Sequence, residues 1–178
     1  MSALTDKLQK DVEAKVPGEL KKTYAAIVTN GKKLLWSDET HGTMKEYVSQ
    51  GIRGAEDVPG VIAGGMRGVI RMLLTASKTK PDINEKFYSA AYPAAIVLMC
   101  DALEYVEAAK KIPITNDILA NTTQETVAQL NTFFGIKKET IDAAMQHTRQ
   151  KQAQGGQPAA PATEPAAESE EPAVEPEV

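Results

Sequence analysis

The stretch Phe87 to Ile112, FYSAAYPAAIVLMCDALEYVEAAKKI, has the densest apolar character and the best helix propensity in the chain. From Ile96 the apolar groups Ile96, Val97, Leu98, Met99, Cys100, Leu103, Tyr105 and Val106 surround the first two turns almost completely, whereas Asp101, Glu104 and Glu107 line one side of the later turns. A helix of that pattern is buried first and amphipathic later. Pro93 has no amide proton and crowds the preceding turn, so the pattern predicts a helix start near Tyr92 or a kink at Pro93. Lys110 and Lys111 complement the negative helix end, and Pro113 forbids continuation. The run is charged too soon to supply the ~20 apolar residues of a bilayer crossing. It reads as a core helix, and no membrane span is expected.

Its expected partner is Val58 to Ala76, VPGVIAGGMRGVIRMLLTA, with Asp57 as N-cap and Pro59 in the first turn. Gly60, Gly64 and Gly68 recur every four residues, with Gly65 beside them. A glycine inside a helix costs about 1 kcal/mol relative to alanine, so a stripe of three asks for a reason. The expected reason is close approach to the alanine-rich face of the central helix, with Ile62, Met66, Val69, Ile70, Leu73 and Leu74 forming the apolar face. Arg67 and Arg71 argue against lipid as the neighbour. A phosphate cradle would need a preceding strand and a loop lysine, and the sequence offers neither.

Working outward, Leu4, Leu8, Val12 and Val16 recur every four residues and predict a thin amphipathic first helix ended by Pro17-Gly18. One narrow stripe cannot hold a helix alone in water, so this segment either docks on the body or binds another chain. A second helix is expected from Glu19 to Trp36, interrupted at Asn30-Gly31, and Trp36 reads either as a peripheral core anchor or as an interface hot spot. A third, Ser37 to Gly51, would bury Met44, Tyr47 and Val48. Beyond the central helix, Thr115 offers a cap for a short turn through Ile118 and Leu119. Thr122 and Glu125 have the spacing of a capping box that would start a new helix ended by Gly135. A last helix is expected over Lys138 to Gln152. The domain expected is 1–152, with 1–16 detachable.

No alternating strand pattern of useful length appears, aromatics are few and alanine is abundant, so the fold class expected is all-α, a compact bundle of six to seven helices. Residues 153–178 are expected to be a disordered acidic tail, because five prolines and six glutamates among alanines cannot bury enough apolar surface to offset ordering. Of the net charge of −4, the tail carries −6 and residues 1–151 about +2. That distribution disfavours nucleic acid, which calls for clustered Lys and Arg; the basic residues of the C-terminal pair are only Lys137, Lys138, Arg149 and Lys151.

Catalysis finds no candidate residues. There is no G-x-S-x-G, no H-E-x-x-H and no P-loop. Asp101, Glu104 and Glu107 share helical spacing but no histidine accompanies them, so they read as a solvated stripe. His41 and His147 lack the spacing of metal ligands. No cofactor, metal site or enzymatic activity is expected. The single Cys100 allows no intramolecular disulfide, and no secretion signal opens the chain, so a reducing compartment or a virion is the expected location.

The segment YPAAIVLMCDALEYVEAAKKIPITNDILANTTQETVAQLNTFFGI, with the alanine-rich body and the Pro/Ala/Glu tail, resembles the small virion-associated or assembly proteins of tailed bacteriophages over Pro93 to Ile136. The resemblance implies no catalytic residues. The function expected is that of a non-enzymatic structural or assembly protein, in contact with copies of itself or a larger protein partner through Leu4, Leu8, Val12, Val16, Trp36, Gly60, Gly64 and Gly68. The alternative is a soluble adaptor whose C-terminal helix pair binds a protein or nucleic-acid target.

Overall fold

A computed structural model describes residues 2–36, 41–77 and 83–136, with the side chains of 41–44 and 83–85 left aside. These residues lie in one compact unit, Met1–Lys137, of the two into which the chain divides. The expected helix Lys138 to Gln152 and the tail lie outside the described residues. Among the described residues there are six α-helices and no strand: α1 Ala3–Ala14, α2 Lys21–Trp36, α3 His41–Gly51, α4 Val58–Ala76, α5 Ile83–Lys110 and α6 Asn116–Phe133. Single 3₁₀ turns, Gly18–Leu20 and Ala55–Asp57, lead into α2 and α4. The all-α fold class read from the sequence is the observed one.

α5 is the axis of the core, and its two halves pack differently. The first half presents Phe87, Ala90, Ala91, Ala94 and Ala95 to Val16, Tyr24 and Ile27, with Ile70 of α4 and Leu130 of α6. The second half presents the larger Leu98, Met99, Leu103 and Val106 to Leu35, Val48, Ile52, Val58, Ile62 and Met66. Small residues let helices approach; large ones fill the space where they diverge.

Three expectations about element boundaries are corrected. α5 runs without a break through Pro93, so no helix starts at Tyr92. The missing amide costs about 3 kcal/mol, but burying each large apolar side chain returns roughly 1.5–3 kcal/mol, and the buried groups flank the proline on both sides. Asn30-Gly31 does not interrupt α2. Thr122 and Glu125 start no helix: α6 begins at Asn116, where Thr115 Oγ1 accepts from the Ile118 amide at 3.2 Å. Thr122 and Thr123 instead donate to the carbonyls of Ile118 and Leu119, at 2.6 and 2.8 Å, the local bond that lets threonine sit inside a helix.

Caps follow the same local chemistry. Asp57 stands at the N-cap position of α4 as expected but its side chain makes no cap bond to the helix; its Oδ2 accepts from the amides of Arg53 and Gly54 at 2.9 and 3.2 Å and so closes the preceding turn. Those two bonds hold its carboxyl below the usual range. Lys111, the residue after α5, has φ 59°, and Gly135 follows α6 with φ 70° as expected.

By length and composition alone, Ala55–Ala76 and Lys86–Lys110 are each long and apolar enough to cross a membrane, which corrects the reading of the central run as charged too soon to supply a crossing. The apolar window of the second is 67% buried within the fold, that of the first only 33%. The central run is therefore a core helix, and the apolar character of α4 is the less completely covered.

Candidate functional site

The seat of α1 is polar at its centre. Thr5, which lies outside the stripe of Leu4, Leu8, Val12 and Val16, is fully buried, and its Oγ1 lies 2.8 Å from Glu104 Oε1 and from the Ser2 carbonyl. Gln9 Nε2 donates to Asp101 Oδ1 at 2.9 Å and to the Val97 carbonyl at 3.4 Å. Asp101 Oδ2 meets Lys32 Nζ of α2 at 2.8 Å. Leu8 and Val12 pack partly buried beside these groups and Val16 is buried, so the stripe is rotated toward Thr5 and Gln9 and is used on the chain's own body. Tyr24 lies in the same seam; burial, then Glu13 and Asp101, push its hydroxyl above the usual range.

The acidic row of α5 is therefore no solvated stripe. Asp101 and Glu104 accept from α1, and Glu107 Oε1 accepts from the Ile114 amide at 3.3 Å, tying down the turn into α6. Among the described residues no three of His, Cys, Asp and Glu stand together in a way that could hold a metal ion. Cys100 is fully buried in the core, and burial, with Asp101 and Glu104 adding to it, pushes its thiol up to about 12. Trp36 packs on Tyr105 of α5 with ring centroids 5.4 Å apart and ring planes 57° apart, the placement of a peripheral anchor. Phe134, at the corner after α6, packs on Tyr88 and Tyr92 at 4.7 and 5.6 Å, and Tyr92 Oη donates to Asn131 Oδ1 at 2.7 Å.

The glycine stripe does not face the alanines of α5. A methyl group placed on Gly60 or Gly68 would meet open space, and one on Gly64 would meet Tyr47 Oη of α3 at 2.7 Å. The buried face of α4 is Val58, Ile62, Ala63, Met66, Val69 and Ile70, and its most extensive contact is with α6. The glycine that admits close approach to α5 is Gly31 of α2, against Leu98.

Helical spacing places Gly60, Gly64, Arg67, Gly68, Arg71, Met72 and Thr75 on one outward stripe of α4. Arg67 and Arg71 are exposed and make no ion pair among the described residues; no acidic residue occurs between Val58 and Ser77. Met72 is 48% exposed, and Tyr47, expected on the buried side of α3, is 44% exposed. Gln129 Oε1 of α6 lies 3.9 Å from the same point above Gly64 and is buried without a donor among the described residues. This surface combines small backbone relief, exposed apolar atoms and two guanidinium groups, a set that can bind a polypeptide carrying carboxylates.

Sequence reasoning picked out the glycines but not Tyr47, Met72 or the role of the arginines. The signal was present in the i, i+4, i+7, i+11 spacing of Gly60, Gly64, Arg67 and Arg71, which puts charge and glycine on one face. No family model, curated protein or solved structure matches the chain.

Proposed function

We propose that this chain is a non-enzymatic structural or assembly protein acting through helix-mediated protein contacts, with the outward stripe of α4 as its contact surface. The observation that carries the reading is the incomplete cover of α4, whose unburied side bears Arg67 and Arg71, without an ion pair among the described residues, beside exposed Met72 and Tyr47. The N-terminal stripe and Trp36 were alternative contact surfaces, but both engage the chain's own body. Two α4 stripes facing each other would oppose like charges, which is costly. The stripe of one copy is thus expected to meet an acidic face of the next, a head-to-tail contact that builds rings or open chains. The resemblance of Pro93 to Ile136 to assembly proteins of tailed phages favours the same role.

Solution mass by light scattering tests this over a roughly tenfold concentration range, because an assembly contact makes mass concentration-dependent. The full chain is expected to exceed the 19.2 kDa of a monomer and to grow on concentration. Arg67→Glu with Met72→Glu is expected to return it to the monomer with the fold intact, since both side chains are exposed. A monomer at every concentration, or a mass unchanged by the substitutions, would reject the reading.

A further inference from the structure

We infer that Tyr47 of α3 is a gate on the α4 stripe: its ring covers the middle of the stripe in the free chain and must swing aside before a helix of a second copy can lie there. This rests on the assignment of that stripe as the assembly contact. Gly60, Gly64 and Gly68 stand about one turn apart on the outward side of α4. A methyl group on the first or the last would meet open space, but one on Gly64 would lie 2.7 Å from Tyr47 Oη. The stripe is thus open at both ends and filled at its centre by one side chain. Helices that pack through small residues bring their axes to about 8 Å, which leaves no room for a ring between them. Tyr47 in its present place and a helix seated along all three glycines exclude each other.

The groups beneath the ring give the gate a closed position. Gln129 Nε2 of α6 donates to Glu125 Oε1 at 3.1 Å. A carboxylate accepts and does not donate, so the amide oxygen of Gln129 is the end turned toward α4. That oxygen lies 3.9 Å from the point above Gly64 that Tyr47 Oη approaches, and it is buried without a donor among the described residues. A buried acceptor left unpaired is costly, and the Tyr47 hydroxyl is a donor beside it. A small inward turn of the ring brings Oη onto Gln129 Oε1 and shuts the stripe; an outward turn bares the glycines.

The ring can move while α3 stays seated. Val48 and Ile52 are buried, a methyl group on Gly51 would meet the Val61 side chain of α4 at 3.0 Å, and Lys110 Nζ donates to the Ser49 carbonyl at 2.8 Å. Tyr47 itself is 44% exposed and makes no hydrogen bond among the described residues. A surface available only in its open fraction binds more weakly by that fraction, and one hydrogen bond favours the closed position by about 2- to 10-fold.

The test uses the full chain and reads mass by light scattering together with nuclear Overhauser effects between the Tyr47 ring and Gly64. Tyr47→Phe, which keeps the ring and removes the donor, and Gln129→Leu, which removes the acceptor, should each lower the concentration of half-assembly by about 2- to 10-fold. The two together should do no more than either alone, because a single bond is lost. Tyr47→Ala should act in the same direction. The ring–Gly64 effect should be present in dilute wild type and fade on concentration, while that between Gly31 and Leu98, in contact in the core, persists.

A higher half-assembly concentration in Tyr47→Ala would make Tyr47 an anchor of the contact and overturn the proposal. Absence of the ring–Gly64 effect from the dilute protein, or its survival in the assembled one, would overturn it as well. Loss of that effect on addition of phosphatidylserine vesicles, with none on concentration, would give the stripe to a membrane surface and likewise overturn it. If Arg67→Glu with Met72→Glu abolishes assembly while the Tyr47 and Gln129 substitutions leave it unchanged, the gate fails and the assembly reading survives. If the wild type stays a monomer at every concentration, the assembly reading fails and the gate falls with it.

Discussion

Gly31 and Gly68 show how one residue type acquires opposite roles from its surroundings. A methyl group at Gly31 collides with the Leu98 side chain, which is fully buried, so Gly31→Ala is expected to destabilise by about 1–3 kcal/mol through overpacking. Gly68→Ala meets open space and is expected to stabilise by up to about 1 kcal/mol through helix propensity; urea midpoints at constant slope would read both. Sequence spacing marked Gly68 and passed over Gly31, because periodicity shows a stripe but not what stands opposite it. Cys100 was legible as a buried thiol from its apolar neighbours. Its thiol lies near 12 in the fold against a reference of 9.0, so the protonated form is favoured by folding. That contribution is complete below pH 9 and is lost as pH rises toward 12, a window that pH-dependent unfolding would reveal. At pH 8 an aromatic disulfide reagent should react with Cys100 only at the rate of unfolding, and rapid native-state reaction would contradict its burial.

The first helix carries the lesson at the scale of elements. The apolar spacing identified α1, which holds Leu4, Leu8 and Val12 but ends at Ala14 before Val16; it did not show the docking face, because Thr5 and Gln9 look like solvent residues until Glu104 and Asp101 are placed opposite them. Each such bond contributes about 0.5–1.5 kcal/mol net, more to a charged acceptor. Gln9→Ala combined with Glu104→Ala should therefore raise amide exchange in Ala3–Ala14 while leaving the second half of α5 protected, and equal loosening of both would mean that α1 is not a separately docked element. Helix existence was legible throughout α1, α2, α4 and α5. Boundaries failed where a local signal was outweighed by burial, as at Pro93, or where threonines with capping spacing formed bonds inside a longer helix, as at Thr122.

At the scale of the molecule, the all-α class followed from the absence of alternating segments and the abundance of alanine, whereas the proposed contact surface could not be read until the occupied faces were known. Docking of α1 and the packing of Trp36 on Tyr105 engage two candidate surfaces internally, and α4 is left with its apolar length one-third covered and two arginines without an ion pair among the described residues. Hydrogen–deuterium exchange of the full chain, compared between dilute and concentrated samples, tests that contrast most directly. Exchange should slow on concentration in peptides spanning Gly60 to Thr75 and stay unchanged in Ala3–Ala14. No slowing in α4, or slowing confined to α1, would contradict the account and return the assembly contact to the N-terminal helix or to another part of the chain.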